Sequence, residues 1–221
     1  MENIIQTIFL LITGLLFHIG CTNPNAVKKT DYVAHENQFV KIATSIGPLF
    51  GKSLVWASTF LQIYFLHFAN AIPIDLLSMS PSSLSGFILM IVGGLGRIWC
   101  YRTLGQFFTY QLTIQKSHEL VASGPYAYLR HPSYTFAYLL TAGMFIVHQR
   151  LVTLSQHSFV IIVGSGLPGF LMFSLIFVSL IFQRVAREEE ELKKQFGKQW
   201  TDYASKRARF IPWILWTKHR L

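Results

Sequence analysis

Charge is what this chain is short of. Asp, Glu, Lys and Arg make up 13% of its 221 residues, where a soluble domain carries about 25%. With 52% hydrophobic residues and a mean hydropathy of +0.40, that shortage excludes an ordinary water-soluble domain. Cysteine is scarce too. Cys21 and Cys100 stand far apart, which leaves neither a disulfide framework nor a zinc-ligand spacing. Gly51-Lys52-Ser53 lacks the upstream glycine of a phosphate-binding P-loop. Internal repeats and low-complexity segments are absent. The net charge of +9 would suggest nucleic acid on a soluble protein. Here the basic residues sit in loops and near the C-terminus, where anionic lipid headgroups and membrane orientation account for them. Membrane lipid is therefore an expected partner; nucleic acid and metal are not.

What the chain does have is long apolar runs. Five of them, at about 3–20, 47–69, 84–101, 133–149 and 159–182, reach or approach the length needed to cross ~30 Å of hydrocarbon. Glu2 stands where the basic start of a signal peptide would be, so the first run is expected to be a permanent span. Sixteen of the nineteen Lys and Arg lie in 21–46, 102–132 and 183–221, and only Arg150 lies in 70–83 or 150–158. The positive-inside rule then places the three basic segments in the cytosol and the N-terminus opposite. Spans four and five, joined by about eight residues, are expected to form an antiparallel hairpin. Gly93, Gly94 and Gly96 in the third span, and Gly164, Gly166, Pro168 and Gly169 in the fifth, mark close helix contact or a bend. From 183 to 207 an amphipathic helix is expected to continue out of the last span. Its apolar stripe is Val185, Leu192, Phe196, Trp200 and Tyr203. An aromatic-rich run from Phe210 to Trp216 follows, either lying in the interface or folding back over the cytosolic face. The expected fold is all-α: an integral membrane bundle of about five transmembrane helices plus a cytosolic C-terminal amphipathic helix. It forms one domain over 1–221, with N-terminal spans in 1–101 and the motif region in 102–221.

Against this apolar background stands a split polar motif. Its first half runs from Gly124-Pro125-Tyr126 to Arg130-His131-Pro132-Ser133-Tyr134. Its second half is Arg184, Glu188 to Leu192, and Phe196-Gly197. Polar groups this dense beside a membrane are costly and need a use. A lone His-Pro would read as a helix start, because proline suits the first turn. His118-Glu119-Leu120-Val121, Tyr126, His131, Ser133 and Tyr134 together offer hydrogen-bonding groups and aromatic faces suited to a polar, purine-containing ligand. In the glutamate run, Glu190 and Glu191 fit a solvated, self-paired helix face. Glu189 does not: at about 100° per residue it falls about 40° from Val185, inside the apolar stripe. A carboxylate there needs a partner, for which Arg130 and His131 are the candidates. Arg184 and Glu188 read as functional. His67, His148 and His157 read as interfacial, and Phe60, Phe65, Phe173 and Phe177 as packing or lipid-facing.

At these residues the sequence resembles the protein-S-isoprenylcysteine O-methyltransferase family of membrane enzymes. The resemblance rests on Gly124 and Tyr126, Arg130 to Tyr134, Glu188-Glu189 to Leu192, Phe196-Gly197 and Ile211-Pro212, and covers roughly 105–213. Phe136 departs from the pattern, standing where the family has glycine. The resemblance implies methyl transfer from S-adenosylmethionine to the C-terminal carboxylate of prenylated cysteine in proteins, at the cytosolic face of the endoplasmic reticulum. It assigns the cofactor to Gln111, His118, Glu119, Leu120, Val121, Tyr126, His131, Pro132, Ser133, Tyr134 and Glu188. Arg184 matches the arginine for the substrate carboxylate, and Arg130 and Glu189 are supporting residues. Alternatives are a membrane lipid or small-thiol methyltransferase and an NADPH-dependent sterol reductase-like enzyme, which can carry a similar Arg-His-Pro-x-Tyr segment. A non-enzymatic scaffold would leave the polar motif and Glu189 unused.

Overall fold

The computed structural model describes residues 2–25, 32–33, 38–68, 80–110, 113–114, 119–155 and 167–211. Helices dominate: α1 (Glu2–Gly20), α2 (Gln38–Phe68), α3 (Pro81–Leu104), α4 (Pro132–Ser155), α5 (Leu167–Phe196) and α6 (Lys198–Ser205). Single 3₁₀ turns occupy Gly105–Phe107 and Gly124–Ala127. A two-residue antiparallel pairing joins β1 (Tyr32–Val33) to β2 (Thr113–Ile114), with Tyr32 opposite Ile114 and Val33 opposite Thr113. It brings together two of the three basic segments that charge assigned to one side.

The protein is a multi-pass membrane protein. Four stretches, Glu2–Gly20, Thr44–Phe68, Pro81–Phe107 and Gly169–Phe196, are long and apolar enough to cross a bilayer. Their outer faces are apolar: Leu175 is 75% exposed and Phe50 68%. In lipid such surface needs no cover, so the exposure that would be a liability in water is expected here. α4, the fourth expected span, is a 24-residue helix outside that set. It carries polar side chains and is half-buried to buried along most of its described length, and a helix surrounded by protein needs no continuous apolar surface.

The tightest seam is α3 against α4, made by missing side chains. A Cβ at Gly93 would lie 2.4 Å from the Leu140 backbone nitrogen, and one at Gly143 would lie 2.6 Å from the Gly86 carbonyl oxygen. One at Gly96 would lie 2.2 Å from the Phe136 ring. Small residues let helix backbones approach where no hydrophobic force pushes them together. Gly94 faces the other way, toward Leu16 of α1. The α4–α5 hairpin is looser. It is held by a Tyr138–Ser174 hydroxyl contact of 3.2 Å and by Phe145 against Phe170 and Phe173. Gly164 and Gly166 lie outside the described residues. A core of Leu10, Phe17, Val55, Phe87, Met90, Leu140, Met144 and Val147 fills the space among α1 to α4.

Three expectations need correction. α4 runs on to Ser155, beyond the expected 149. His148 is consequently not interfacial but buried, with Nδ1 2.7 Å from Gln62 Nε2. His157 lies outside the described residues. The third correction concerns the tail, which is not one helix. α5 continues to Phe196, and Gly197 turns the chain at φ 53° into α6. Glycine takes positive φ without a Cβ penalty, which is why the helix ends there.

Gly93→Leu should destabilise the bundle by ~1–3 kcal/mol or more, because the opposing atom is backbone and cannot turn aside. Thermal unfolding in detergent checks this. An unchanged melting temperature would dismiss the seam.

Candidate active site

The site forms where the three basic segments meet at one end of the bundle. Residues 129–131, just before α4, lie alongside 208–210, the stretch after α6. Arg130 N–H donates to the Ala208 carbonyl at 2.9 Å and His131 N–H to the Arg209 carbonyl at 3.0 Å. The Thr135 hydroxyl donates to the Phe210 carbonyl at 2.6 Å. α6 docks beside them: the Tyr203 hydroxyl donates to the Tyr126 carbonyl at 2.9 Å and to that of Leu129 at 3.3 Å. Burial pushes the Tyr203 phenol up to about 12, so it remains a donor at neutral pH. The Phe210 ring stands 6.0 Å from that of His131, so the aromatic tail begins by folding back. The rest of that run, from 212 on, lies outside the described residues.

Behind this seam sits Glu189. Arg130 Nη1 lies 3.1 Å from its Oε1, and His131 Nε2 donates to the same oxygen at 3.1 Å. Arg209 Nη2 donates to Oε2 at 2.6 Å, with its Nε 3.1 Å from each oxygen. Both candidate partners from the sequence are therefore present. Arg209 is a third that the sequence did not signal, because it reaches back across the Gly197 turn. Burial lowers Arg130 from the ordinary guanidinium value; the Glu189 charge opposes that shift and Arg209 adds to it.

Glu188 points elsewhere. Arg184 Nε donates to the Tyr134 hydroxyl at 2.7 Å, and that hydroxyl donates to Glu188 Oε2 at 3.0 Å. Arg184 Nη2 donates to the Tyr110 carbonyl at 2.5 Å. Arg184 is buried, while the Glu188 side chain is 28% exposed. Glu190 and Glu191 share Lys194, each at 2.9 Å, but only Glu190 is solvated as expected; the Glu191 side chain is 17% exposed. Glu191 also borders the cavity described next.

This chain of groups lines one end of a cavity of about 650 Å³. Arg130, His131, Ser133, Tyr134, Arg184 and Glu188 border it, as do Glu119, Leu120, Val121 and Tyr126. Burial raises the Tyr126 phenol well above its usual value, which keeps it neutral. Pro132 is fully buried in the first turn of α4, and Glu189 stands behind the wall; neither lines the cavity. Gln111 and His118 lie outside the described residues. The opposite end is apolar and runs between α4 and α5 past Met144, Phe145, Gly169, Phe173 and Phe177. Phe173 and Phe177 thus face the cavity rather than lipid alone. Phe136, packed on Gly96, does not border it. Arg97, on α3 and inside the third expected span at 84–101, borders it too. The arrangement can orient an anion at Arg184, hold a polar cation-bearing molecule against Glu188 and the aromatic rings, and take an apolar chain in one continuous volume.

Fold and site together define a multi-pass membrane protein with an enclosed polar pocket opening into an apolar slot. Residues 86–194, the stretch carrying most of that pocket, match the isoprenylcysteine carboxyl methyltransferase (ICMT) family. The chain is 32% identical over 133 residues to the protein-S-isoprenylcysteine O-methyltransferase of Dictyostelium discoideum, covering 58% of this chain and 48% of that protein. It is 24% identical to protein-S-isoprenylcysteine O-methyltransferase B of Arabidopsis thaliana, over 58% of each. It is 28% identical to a probable protein-S-isoprenylcysteine O-methyltransferase of Oryza sativa subsp. indica, over 78% of this chain and 81% of that protein. The chain thus spans about half the length of the first two relatives.

Glu189→Gln should cost ~3–5 kcal/mol, because it leaves buried guanidinium charge without its counter-ion. The expected readout is a lower melting temperature together with faster proteolysis of the segment after α6. Glu190→Gln, on the solvated face, should change neither. Equal behaviour of the two variants would dismiss the Glu189 network.

Proposed function

We propose that this protein transfers a methyl group from S-adenosylmethionine to the C-terminal carboxylate of a prenylated cysteine. The observation that carries the reading is one cavity with two chemistries. Arg184, Tyr134 and Glu188 line its polar end, and an apolar slot between α4 and α5 continues from it. A polar donor and a lipid-bearing acceptor both need to reach one point, and this volume offers each a compatible wall. The family match and the names of the relatives support it. The sterol reductase-like and the membrane lipid or small-thiol methyltransferase alternatives are not favoured.

The bound donor would supply an electrophilic methyl group on a sulfonium. Glu119, Leu120, Val121, Tyr126, His131, Ser133, Tyr134 and Glu188 would hold it, with Pro132 shaping the turn and Gln111 and His118 completing the set. The residues present fit such a group: a carboxylate for the positive charge, aromatic rings for the base, and hydroxyls for its polar edges. An α-carboxyl has a pKa of about 3.5, so the acceptor is ionised at neutral pH and no strong base is needed. Arg184 would orient that carboxylate by charge-assisted hydrogen bonds. Its grip on the Tyr134 hydroxyl and the Tyr110 carbonyl fixes its own direction. Arg130 and Glu189 support His131 from behind. The walls would exclude water and hold the reacting groups in line. The prenyl chain would enter sideways from the bilayer, gaining ~0.8 kcal/mol per buried CH₂. We take residues 1–221 as one methyltransferase domain. Its site would face the cytosol, as the charge distribution supports, and by the resemblance it would sit in the endoplasmic reticulum membrane.

Methyl transfer from labelled S-adenosylmethionine to N-acetyl-S-farnesylcysteine tests the reading. Arg184→Ala should lower kcat/KM about 10–100-fold or more while binding of S-adenosylhomocysteine persists. Glu188→Ala should weaken that binding about 10-fold. Full turnover by the Arg184 variant would refute its assignment. Binding of NADPH in place of S-adenosylhomocysteine would turn the choice to the reductase.

A further inference from the structure

Arg97 lies in α3, within a stretch that crosses the membrane, and only 6% of it is exposed. Its Nε donates to the Gly20 carbonyl at 2.5 Å and to the Tyr101 hydroxyl at 2.9 Å. Nη1 donates to the carbonyl and the hydroxyl of Ser133, each at 3.0 Å. Nη2 donates to the Tyr101 hydroxyl at 2.6 Å and the Tyr110 hydroxyl at 3.1 Å. The rings of Tyr101, Phe108 and Tyr110 surround its guanidinium at 5.0–5.9 Å.

None of these partners is a carboxylate. The other arginines of the site are close to one: Arg184 shares Tyr134 with Glu188, and Arg130 and Arg209 share Glu189. Among the described residues, Arg97 brings a cation to the cavity wall that only dipoles answer. A charge at such a depth is costly and marks function by default. Its partners say where that function acts. Tyr110 gives its hydroxyl to Arg97 and its carbonyl to Arg184. Ser133 precedes Tyr134, whose hydroxyl accepts from Arg184 Nε. Asn25 pins the same strap, donating to the Gly105 and Phe108 carbonyls at 2.7 and 2.8 Å.

We infer that Arg97 is a positioning residue that sets Arg184 through Tyr110, and that its unanswered charge makes the cavity prefer a carboxylate acceptor to the neutral methyl ester formed from it. This rests on the reading under Proposed function. In that reaction the O–C bond forms as the C–S bond breaks, the sulfonium and the carboxylate lose their charges together, and no proton moves. The product therefore loses the attraction that held the reactant, which favours its departure.

The test uses the full chain in detergent, comparing wild type with Arg97→Gln, Arg97→Lys and Tyr110→Phe. Three quantities are read: KM for N-acetyl-S-farnesylcysteine, Ki for its methyl ester, and Kd for S-adenosylhomocysteine. Arg97→Gln should raise the acid KM about 10-fold or more while the ester Ki and the donor-site Kd hold, so the preference for acid over ester collapses. Arg97→Lys keeps the charge without the planar fork, so part of the preference should survive with a lower kcat. Tyr110→Phe should raise the acid KM by less. An unchanged acid-to-ester ratio in Arg97→Gln overturns the inference. So does a loss confined to donor binding, which would assign the charge to the donor's own carboxylate. A parallel fall of all constants with the melting temperature would make Arg97 a strut only, and also overturns it. If Arg97→Gln does not fold, unaltered KM and ratio in both other variants do the same. A wild type that transfers no methyl group fails the functional reading instead; acid-versus-ester binding, read by thermal shift, then decides the role of Arg97.

Discussion

Everything at the polar end depends on one buried carboxylate. Glu189 accepts from two guanidiniums and an imidazole that come from two places in the chain: the approach to α4, which gives Arg130 and His131, and the segment after α6, which gives Arg209. An apolar environment makes each of these charges expensive alone and inexpensive together. This requirement holds α5 against α4 at a level where their apolar contacts are loose. It also frees Glu188, one residue earlier, to face the cavity. Two adjacent glutamates thus divide the work, one in the ion-pair network and one facing the cavity, and helix geometry alone separates them by about 100°.

The glycine seam provides the complementary constraint. α4 can carry polar groups into the bundle because α3 lets it come close, Gly93 against Leu140 and Gly96 against Phe136. Its first turn is thereby fixed in depth, and with it His131, Ser133 and Tyr134. Arg97, one residue past Gly96, reaches Ser133 because of that approach. The bulky Phe136 meets a glycine across the seam and leaves the cavity wall untouched.

Much of this was legible in the sequence, and the parts that were not share physical causes. Hydropathy located the long helices because lipid imposes a length. The helical wheel isolated Glu189 because period and stripe conflict there. Both Arg130 and His131 followed as partners from chemistry alone. Arg209 did not, since the turn at Gly197 breaks the periodicity on which such arguments run. Phe173 and Phe177 were assigned to packing or lipid because an apolar side chain reads the same toward a slot as toward a tail. His148 was assigned to the interface because α4 outlasts its apolar run. Arg97 was absorbed into a span because one charge does not spoil a window of hydropathy. Its significance lies in which hydroxyls and carbonyls surround it, and those come from four separate elements.

The strand-like pairing of 208–210 with 129–131 has a consequence for biogenesis. Synthesis proceeds from the N-terminus, and the partners of Arg130 and His131 are made long after them. Until residues 203–210 emerge, the first motif half has no covering strap, the Tyr126 and Leu129 carbonyls lack the Tyr203 phenol, and Arg130 lacks its neighbour. A chain halted earlier would insert its helices and still present an unassembled pocket. Closure of the site therefore waits on residues 203–210, however many of the helices before them are already in place.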